Sequence, residues 1–274
     1  MIGERISLSV SEAIAHLELK RPDLRNGMDP LFVTEFSEAL RRVEEDRTVR
    51  TLLISAAGPS FCVGGNLKYF SGRLESLEED MSWMVAEWHT VLPRLAELPF
   101  PVVTAVHGGT AGGGLGPVWC ADYVIAAEST RMAGGFADIG LSGDGGASWH
   151  LPRYVGLRRA QAMILDNQSI DAQTALDWGI VSEVVSDDEL QNVAWKTAER
   201  FAQRSATAFS RAKKLLLESS TNGYVEHLQA EARAIYDCVS VPDVELGIRA
   251  FMAGETPRFQ EPYRTAATAS VPQV

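Results

Sequence analysis

The sequence predicts an α/β fold with largely parallel strands, followed by a segment that is entirely helical. Short apolar runs alternate with amphipathic helical patterns as far as Asp187, and only helical patterns follow. Apolar residues make up 46% of the 274-residue chain and charged residues 22%, which is enough apolar material for a sizeable core. We therefore divide the chain into an α/β core over residues 1–195, a helical segment over 196–260 and a flexible tail over 261–274.

The first predicted elements follow from the pattern between residues 14 and 54. Residues 14–19 alternate sufficiently between apolar and polar side chains to predict a strand, which a turn at residues 21–23 ends. Asp29 followed by Pro30 is typical of a helix N-terminus. The apolar face of that helix recurs at Phe32, Phe36, Leu40 and Val43. Residues 51–54 form a short apolar run that indicates a buried strand.

The later elements are predicted in the same way. A long helical pattern covers residues 77–98, with a kink or interruption expected near Pro93. Apolar runs at residues 101–106 and 123–126 predict two further strands. Four helical patterns make up the C-terminal segment, at residues 189–204, 206–218, 224–238 and 243–253.

Charge and cysteine content exclude several classes of protein. The chain has 25 Lys and Arg against 36 Asp and Glu, and a formal charge of −11 is the wrong sign for a nucleic-acid-binding protein. We interpret the local cluster of Arg211, Lys213 and Lys214 as a solvent-exposed helix face. Three widely spaced cysteines indicate a reducing compartment, and no zinc-ligand spacing is present. Because the apolar runs are short and the N-terminus lacks a secretory pattern, we expect a soluble cytoplasmic protein that does not bind a membrane.

Two glycine-bearing segments follow predicted strands. Residues 108–116 do not form a phosphate-binding loop, because no Lys-Ser/Thr pair follows the glycines and no Gly-x-Gly-x-x-Gly window fits. Residues 140–144 lack the closing glycine of a nucleophile elbow. Tight turns and close helix–sheet packing explain such glycines equally well. However, residues 61–67 are a second such segment, and two strand ends of this kind can direct two backbone N–H groups at one carbonyl oxygen.

Together these segments resemble the crotonase (enoyl-CoA hydratase/isomerase) superfamily over nearly the whole chain. Residues 21–26 resemble its first acyl-CoA loop and residues 61–68 its first oxyanion loop. Residues 101–108, with the Ala-Gly-Gly-Gly run at 111–114, resemble its second oxyanion loop. The remaining motifs lie at residues 140–146, 151–153, 155–156 and 175–181. The order and spacing of the motifs carry the resemblance, since each motif alone is only moderately specific.

The resemblance implies a spiral of ββα units whose C-terminal helices form the contacts of a homotrimer or a dimer of trimers. It implies an acyl-CoA thioester as the substrate and requires neither a metal nor a redox cofactor. The oxyanion donors correspond to the backbone N–H groups of Gly65 and Gly113. The positions that contact CoA correspond to Arg25, Gly64 and Lys68.

The chain departs from the family at both of the glutamates with which hydratases handle water. Gly116 and Phe136 occupy those positions, so the resemblance implies an isomerase-type enzyme without the two-glutamate hydration mechanism. Asn66 replaces the usual aspartate and His107 the usual asparagine. We interpret both replacements as local variation.

Asp144 is the main candidate for a catalytic group. Family isomerases use a carboxylate in this glycine turn, and burial in an acyl pocket would raise its pKa towards that of a useful base. The alternative interpretation is a turn aspartate or a helix N-cap ahead of Gly145, Gly146 and Ala147.

His89, on the helix that precedes the second oxyanion strand, is a candidate only in combination with Asp144. A single helical histidine is more often structural or exposed. The pair nevertheless matches positions in 4-chlorobenzoyl-CoA dehalogenases, where the aspartate attacks the aromatic ring and the histidine helps water to release the product. That family has a tryptophan where Phe136 stands here. Substitution chemistry and a catalytically silent member of the fold therefore stay open as alternatives.

The acyl group is not identified by the sequence. Six Met and aromatic side chains could line a wide, flat pocket, although at helical spacing they are equally typical of a plain core. These side chains are Trp83, Met84, Trp88, Met132, Phe136 and Trp149.

Overall fold

The computed structural model describes residues 3–259, and the predicted tail over 261–274 lies outside this range. Within it, nine strands alternate with helices. The strands are β1 (Ile6–Ser11), β2 (Ile14–Leu19), β3 (Thr51–Ala56), β4 (Val102–Val106), β5 (Gly109–Ala111), β6 (Tyr123–Ala127), β7 (Arg131–Ala133), β8 (Ile170–Asp171) and β9 (Glu183–Val185). The helices of the first part of the chain are α1 (Pro30–Glu45), α2 (Leu67–Ser71), α3 (Leu77–Ala96), α4 (Gly116–Trp119), α5 (Ala147–Val155), α6 (Leu157–Leu165) and α7 (Ala172–Asp177).

Six of the strands form one sheet in the order β1-β2-β3-β4-β6-β9. β1 is antiparallel to β2, and every other neighbouring pair in this sheet is parallel. Parallel sheets are covered on both faces, which is why their strands are apolar throughout rather than alternating. All six residues of β3 are buried, as are all five of β4. The predicted parallel α/β core is therefore confirmed.

Successive residues of these strands pack into two separate cores, because side chains alternate between the faces of a sheet. Leu52 and Ile54 of β3 belong to the main core, which also contains the apolar sides of α1 and α3. Leu53 of β3 belongs to the second core, on the opposite face. Helix α8 (Leu190–Ala202) covers that second face with Leu190 and three alanines, Ala194, Ala198 and Ala202.

Helix α1 begins where the sequence predicts. The Asp29 side chain caps it by accepting a hydrogen bond of 3.0 Å from the Phe32 N–H, and Pro30 occupies the first turn. The expected interruption of α3 at Pro93 is wrong, since the helix continues through this residue to Ala96. Pro93 lies in the last turn of α3. Proline has no backbone N–H, and the one helical hydrogen bond lost there disturbs only the end of the helix.

A second sheet of three short strands contains β5, β7 and β8. β5 pairs in parallel with β7, which pairs antiparallel with β8. An isolated bridge between Cys62 and Thr110 joins β5 to the glycine segment that follows β3. This bridge places the two glycine-rich segments of the sequence side by side. The sequence analysis assigned neither this sheet nor β1.

The C-terminal segment consists of α8 and three further helices, α9 (Ala206–Glu218), α10 (Tyr224–Val239) and α11 (Asp243–Ala253). The predicted bounds match those of α9 and α11, and they match α8 and α10 to within two residues. Residue 195, where we divided the chain, falls inside α8, which packs on the sheet. No helix within residues 3–259 is long and apolar enough to cross a membrane.

The prediction that the basic cluster of Arg211, Lys213 and Lys214 lies on a solvent-exposed helix face is wrong for Lys213. Lys213 is buried, and its Nζ lies 2.7 Å from the Asp122 carboxylate and 3.4 Å from the Phe100 carbonyl oxygen. Lys213 thus attaches α9 to the residues that flank the sheet strands. The helical pattern of the sequence does not predict this contact. Arg211 pairs with Asp237, and Lys214 is exposed as expected.

Candidate active site

A cavity of about 850 Å³ opens between the two glycine segments, α3 and the loop over residues 135–144. Its walls are mostly apolar and include Met28, Met84, Trp88 and Phe136. All four of these side chains are buried. The polar groups of the cavity are few and converge from different parts of the chain, which is typical of a small-molecule site.

The first glycine segment is held by a short bridge to Met28. The Met28 N–H donates to the Gly64 carbonyl oxygen and the Met28 oxygen accepts from the Asn66 N–H, both at 2.7 Å. In an extended segment, successive peptide groups point to opposite sides. The Gly65 N–H therefore points away from Met28, and Gly65 lines the cavity.

The second glycine segment begins a short 3-10 helix over Gly112–Leu115 directly after β5. N–H groups in the first turn of a helix have no acceptor within the helix. Gly113 lies in this turn and lines the cavity. Its carbonyl oxygen accepts a hydrogen bond of 3.2 Å from the Trp88 indole, which fixes the orientation of this turn against α3.

The two glycine segments contact each other directly. A Cβ atom on Gly64 would lie 2.9 Å from the Ala111 carbonyl oxygen, and the φ angle of Gly64 is +83°. Both facts require glycine at this position. Within residues 3–259, the N–H groups of Gly65 and Gly113 donate to no protein acceptor. Two backbone donors of the cavity lining thus have no protein acceptor, as an oxyanion hole would require.

The Asp144 carboxylate lies beside the second donor. Its Oδ1 is 3.1 Å from the position that a Cβ atom on Gly113 would occupy. Oδ1 is buried, and no group in the described part of the chain forms a hydrogen bond with it. Burial raises the pKa of Asp144, an effect that His89 partly opposes. The carboxylate is therefore available as a base.

The alternative role of Asp144 as a helix cap finds no support. Helix α5 begins at Ala147, the preceding residue is Gly146, and no side chain caps this helix. Asp144 contributes only its backbone carbonyl oxygen, which accepts from the Ala147 N–H at 3.2 Å.

His89 lies outside the lining of the cavity and is exposed. Its Nε2 atom accepts a hydrogen bond of 3.4 Å from the Gly145 N–H, next to Asp144. The structure thus places His89 as a support of the Asp144 loop.

Neither of the two positions that the resemblance aligns with the glutamates of hydratases, Gly116 and Phe136, holds an acid or a base. A Cβ atom on Gly116 would lie 2.7 Å from Leu92 Cδ2 and 3.2 Å from the Trp88 ring, so the space for a side chain is already filled. The Phe136 ring packs against Gly112 and Gly143 and closes one wall of the cavity.

Two cations lie at the cavity. Arg25 and Lys68 are exposed, both line the cavity, and neither forms an ion pair with an acid among residues 3–259. Asn26 holds the loop that carries Arg25, because its side chain donates to the carbonyl oxygens of Ala57 and Ser60 at 3.0 and 2.9 Å. Two unpaired cations in this position suit a ligand with phosphate groups.

Three of the six side chains suggested for the pocket lie elsewhere. Trp83 and Trp149 are exposed, and Met132 is buried in the main core. The sequence analysis missed Met28, whose Sδ atom would lie 3.3 Å from a Cβ atom on Gly113. The position of Met28 at the cavity follows from its bridge to Gly65. No local sequence pattern predicts such a pairing between distant segments.

Other reactive groups are excluded by burial. The Cys62 thiol lies under the second glycine segment and is fully buried, which raises its pKa to about 12. A thiol with this pKa is not a nucleophile near neutral pH. Over residues 3–259, no three His, Cys, Asp or Glu side chains form a group that could hold a metal ion.

Comparison with known proteins adds the family context. Residues 9–262 match the sequence profile of the family described as enoyl-CoA hydratase/isomerase. The chain is 32% identical to 1,2-epoxyphenylacetyl-CoA isomerase of Escherichia coli strain K12, over 93% of this chain and 98% of that protein. It is 26% identical to 4-chlorobenzoyl coenzyme A dehalogenase-2 of an Arthrobacter species, over 86% of each. The crystal structure of an enoyl-CoA hydratase from Polaromonas sp. JS666 superposes with a TM-score of 0.88 at 28% identity, covering 93% of this chain and 99% of that one.

The unpartnered carboxylate leads to a prediction about stability. Because burial raises the pKa of Asp144, folding favours the protonated carboxyl, and this contribution to stability is lost as the pH rises through the raised pKa. Asp144→Asn removes the charge at nearly constant size, so we expect a higher melting temperature at pH 7. The difference should vanish below pH 3.8, the ordinary pKa of the group, where both side chains are neutral.

Thermal unfolding across this pH range is the measurement. Asp138→Asn is the matched control, since Asp138 is exposed in the same loop and its carboxylate accepts from Asn167 at 2.5 Å. A melting temperature of Asp144→Asn at or below that of the wild type at pH 7 would show that the carboxylate has a partner.

Proposed function

The chain belongs to the enoyl-CoA hydratase/isomerase family, and we propose that it moves a carbon–carbon double bond within an acyl-CoA thioester. One observation carries this proposal. A single unpartnered carboxylate, Asp144, lies beside the free Gly113 amide, while the positions of both hydratase glutamates hold Gly116 and Phe136.

Substrate binding follows from the distribution of charge along the cavity. Arg25 and Lys68 supply positive charge for the phosphates of CoA, and the Gly64 turn lies next to them. The acyl group then extends between apolar walls that include Met84 and Phe136. Positive charge at the cavity of an otherwise acidic protein favours the approach of the phosphates to this site.

The proposed reaction uses the two amides and the carboxylate in turn. The thioester oxygen of a 3-enoyl-CoA accepts hydrogen bonds from the Gly65 and Gly113 N–H groups. Asp144 takes a proton from C-2, and the electron pair that this leaves is delocalised into the thioester as an enolate. Asp144 then returns the proton to C-4, so the double bond ends between C-2 and C-3 and the carboxylate is regenerated. The amides stabilise the negative charge of the enolate, which makes a metal ion or redox cofactor unnecessary for this step.

Hydration would require more than this site provides. Adding water across a double bond needs one group to take a proton from the water and another to protonate C-2. Asp144 is the one unpartnered carboxylate lining the cavity in the part of the chain that the structure describes. Proton transfer between two carbons of one substrate requires only one such group.

The test is to incubate the protein with a 3-enoyl-CoA and follow the absorbance of the conjugated thioester. We expect isomerisation by the wild type and a loss of about 10²–10⁴ in kcat for Asp144→Asn, the usual contribution of a general base. The rate should fall as the pH decreases through the raised pKa of Asp144, because the base must be ionised.

Asp138→Asn is again the control and should retain the wild-type rate, since this side chain does not line the cavity. Equal rates for the wild type and Asp144→Asn would contradict the proposed role. A protein that binds no CoA ester at all would instead be a catalytically silent member of the fold.

We also propose that the protein assembles as a homotrimer through its C-terminal helices. These helices expose large apolar side chains that a protomer alone leaves in water, a pattern that marks a contact surface. The side chains with the greatest exposed fractions are Tyr224 at 79%, Phe251 at 82% and Met252 at 78%.

Light scattering checks the assembly, and we expect a mass three times that of the 29.8 kDa chain. Phe251→Asp should shift the protein towards the monomer without unfolding it, because this side chain contacts little of its own protomer. A wild-type protein that is monomeric at micromolar concentration would contradict the trimer.

A second candidate reaction is nucleophilic substitution on an arylacyl-CoA, as the name of the Arthrobacter relative suggests. Asp144 would attack the ring carbon that carries chlorine, a C–O bond would form, and chloride would leave with the electron pair of the C–Cl bond. Water would then hydrolyse the aryl ester. The free carboxylate supports the attack, and the proximity of His89 to the Asp144 loop supports the hydrolysis. Against it, His89 Nε2 is occupied by the Gly145 N–H.

Rapid-quench mass spectrometry distinguishes the two reactions. If substitution occurs, the His89→Gln variant mixed with 4-chlorobenzoyl-CoA should accumulate added mass on the peptide that contains Asp144. We expect an unmodified peptide, because the proposed isomerisation passes through no covalent bond to Asp144. A covalent adduct at Asp144 would favour substitution over isomerisation.

A further inference from the structure

We propose that Asp29, held by Arg5, is a positioning residue that sets the Gly65 amide through Asn66. The proposal rests on the oxyanion site described above and concerns how this chain fixes one of its two donors. None of the three side chains takes part in the proton transfer.

The first step is the burial and pairing of Asp29. Its side chain is 2% exposed and that of Arg5 is 12% exposed. Arg5 binds Asp29 with two hydrogen bonds, from Nε to Oδ1 at 3.2 Å and from Nη2 to Oδ2 at 2.5 Å. A bidentate pair of this kind fixes the plane of the carboxylate. It also supplies the positive charge that a buried carboxylate requires.

The second step is the contact between Asp29 and Asn66. Asn66 Nδ2 donates to Asp29 Oδ2 at 3.3 Å, and Asn66 Oδ1 accepts from the Tyr69 N–H at 3.1 Å. The two ends of one amide thus join the Asp29 carboxylate to the start of α2. An aspartate at position 66 could cap α2 equally well, but its second oxygen would face the Asp29 carboxylate. Asparagine, whose side chain has both a donor and an acceptor, therefore suits this position beside Asp29.

The third step connects this pair to the oxyanion donor. Met28 immediately precedes Asp29, Gly65 immediately precedes Asn66, and Met28 and Gly65 form the bridge that orients the Gly65 N–H. The bridge consists of two hydrogen bonds of 2.7 Å, one of which comes from the Asn66 N–H itself. The hydrogen bond between the Asn66 and Asp29 side chains is thus a second connection between the two segments, one residue beyond the bridge. A repulsion at this link would displace the Gly65 peptide from its place.

The variant that tests the link is Asn66→Asp, which restores the usual family residue and places two carboxylates together. Its partner is the double variant Asp29→Asn/Asn66→Asp, which exchanges the two side chains and conserves the total charge. Asparagine caps a helix as well as aspartate does, so α1 keeps its cap in the double variant. The asparagine introduced by Asp29→Asn accepts only one of the two hydrogen bonds from Arg5, because its Nδ2 takes the place of Asp29 Oδ2. Glu38→Gln is the matched control, because Glu38 is an acid of α1 whose two arginine partners are close to the surface.

The readout is the carbonyl stretching frequency of bound hexanoyl-CoA that carries ¹³C at the thioester carbon. This saturated ligand has no double bond to move, and hydrogen bonds from the two amides lower the frequency of its carbonyl. We expect Asn66→Asp to lose most of this lowering and the double variant to recover part of it. We expect kcat for a 3-enoyl-CoA to fall by roughly 10- to 100-fold in Asn66→Asp, the size of effect produced by a displacement of about 1 Å, with a smaller change in KM.

The outcomes separate this inference from the proposed function. A wild-type frequency in folded Asn66→Asp, or no recovery in the double variant, would overturn the role of Asp29. If Asn66→Asp does not fold, the double variant alone decides, since it must fold and show a carbonyl frequency closer to that of the wild-type complex than to that of the free ligand. A wild-type protein that binds hexanoyl-CoA without lowering the frequency would contradict the oxyanion site itself. Glu38→Gln should match the wild type in both measurements.

Discussion

The site depends on the close approach of two backbone turns that the sheet brings together. Strands β3 and β4 are parallel neighbours, so the segments that follow them leave the sheet at the same edge. The bridge between Cys62 and Thr110 continues this pairing beyond the sheet, and Gly64 then contacts the backbone of Ala111 and Gly112. A side chain on Gly64 would separate the two turns. Because the donors are backbone groups, their direction is set by the fold and not by a rotamer.

The second constraint is electrostatic. Asp144 is a carboxylate in a mostly apolar cavity without a hydrogen-bond partner for its buried oxygen in the described chain, which costs stability. Such a cost is common where function requires a reactive group. Burial raises the pKa of Asp144, and the lack of a partner leaves its oxygen free to take a proton. In the proposed complex, the apolar walls would also strengthen the hydrogen bonds from the two amides, because the ligand would displace competing water.

The parts of the fold that depend on local sequence patterns were predictable. The buried strands, the N-cap at Asp29 and the four C-terminal helices follow from periodicity and capping. The family followed from the order of the glycine motifs, and its match over residues 9–262 confirms it. What the sequence could not supply depends on contacts between distant segments. Lys213 lies on a helix whose pattern predicts an exposed side chain. It is buried because it pairs with Asp122, which lies under the helix.

The same limit applies within the site. Whether Asp144 caps α5 or stays free depends on the path of the preceding turn, which residue types alone do not determine. Met28 reaches the cavity through a bridge of two hydrogen bonds, and Asn66 has a partner 37 positions away. The roles of Gly65, Gly113, Arg25 and Lys68 concern contacts with a ligand and stay predictions.

The most direct measurement is a crystal structure of the protein with an unreactive, saturated acyl-CoA. The thioester oxygen should lie within about 3.1 Å of both the Gly65 and the Gly113 nitrogens. An Asp144 oxygen should face C-2 of the acyl chain. A thioester oxygen bound to a side chain or to solvent, with the two amides left empty, would contradict the central claim.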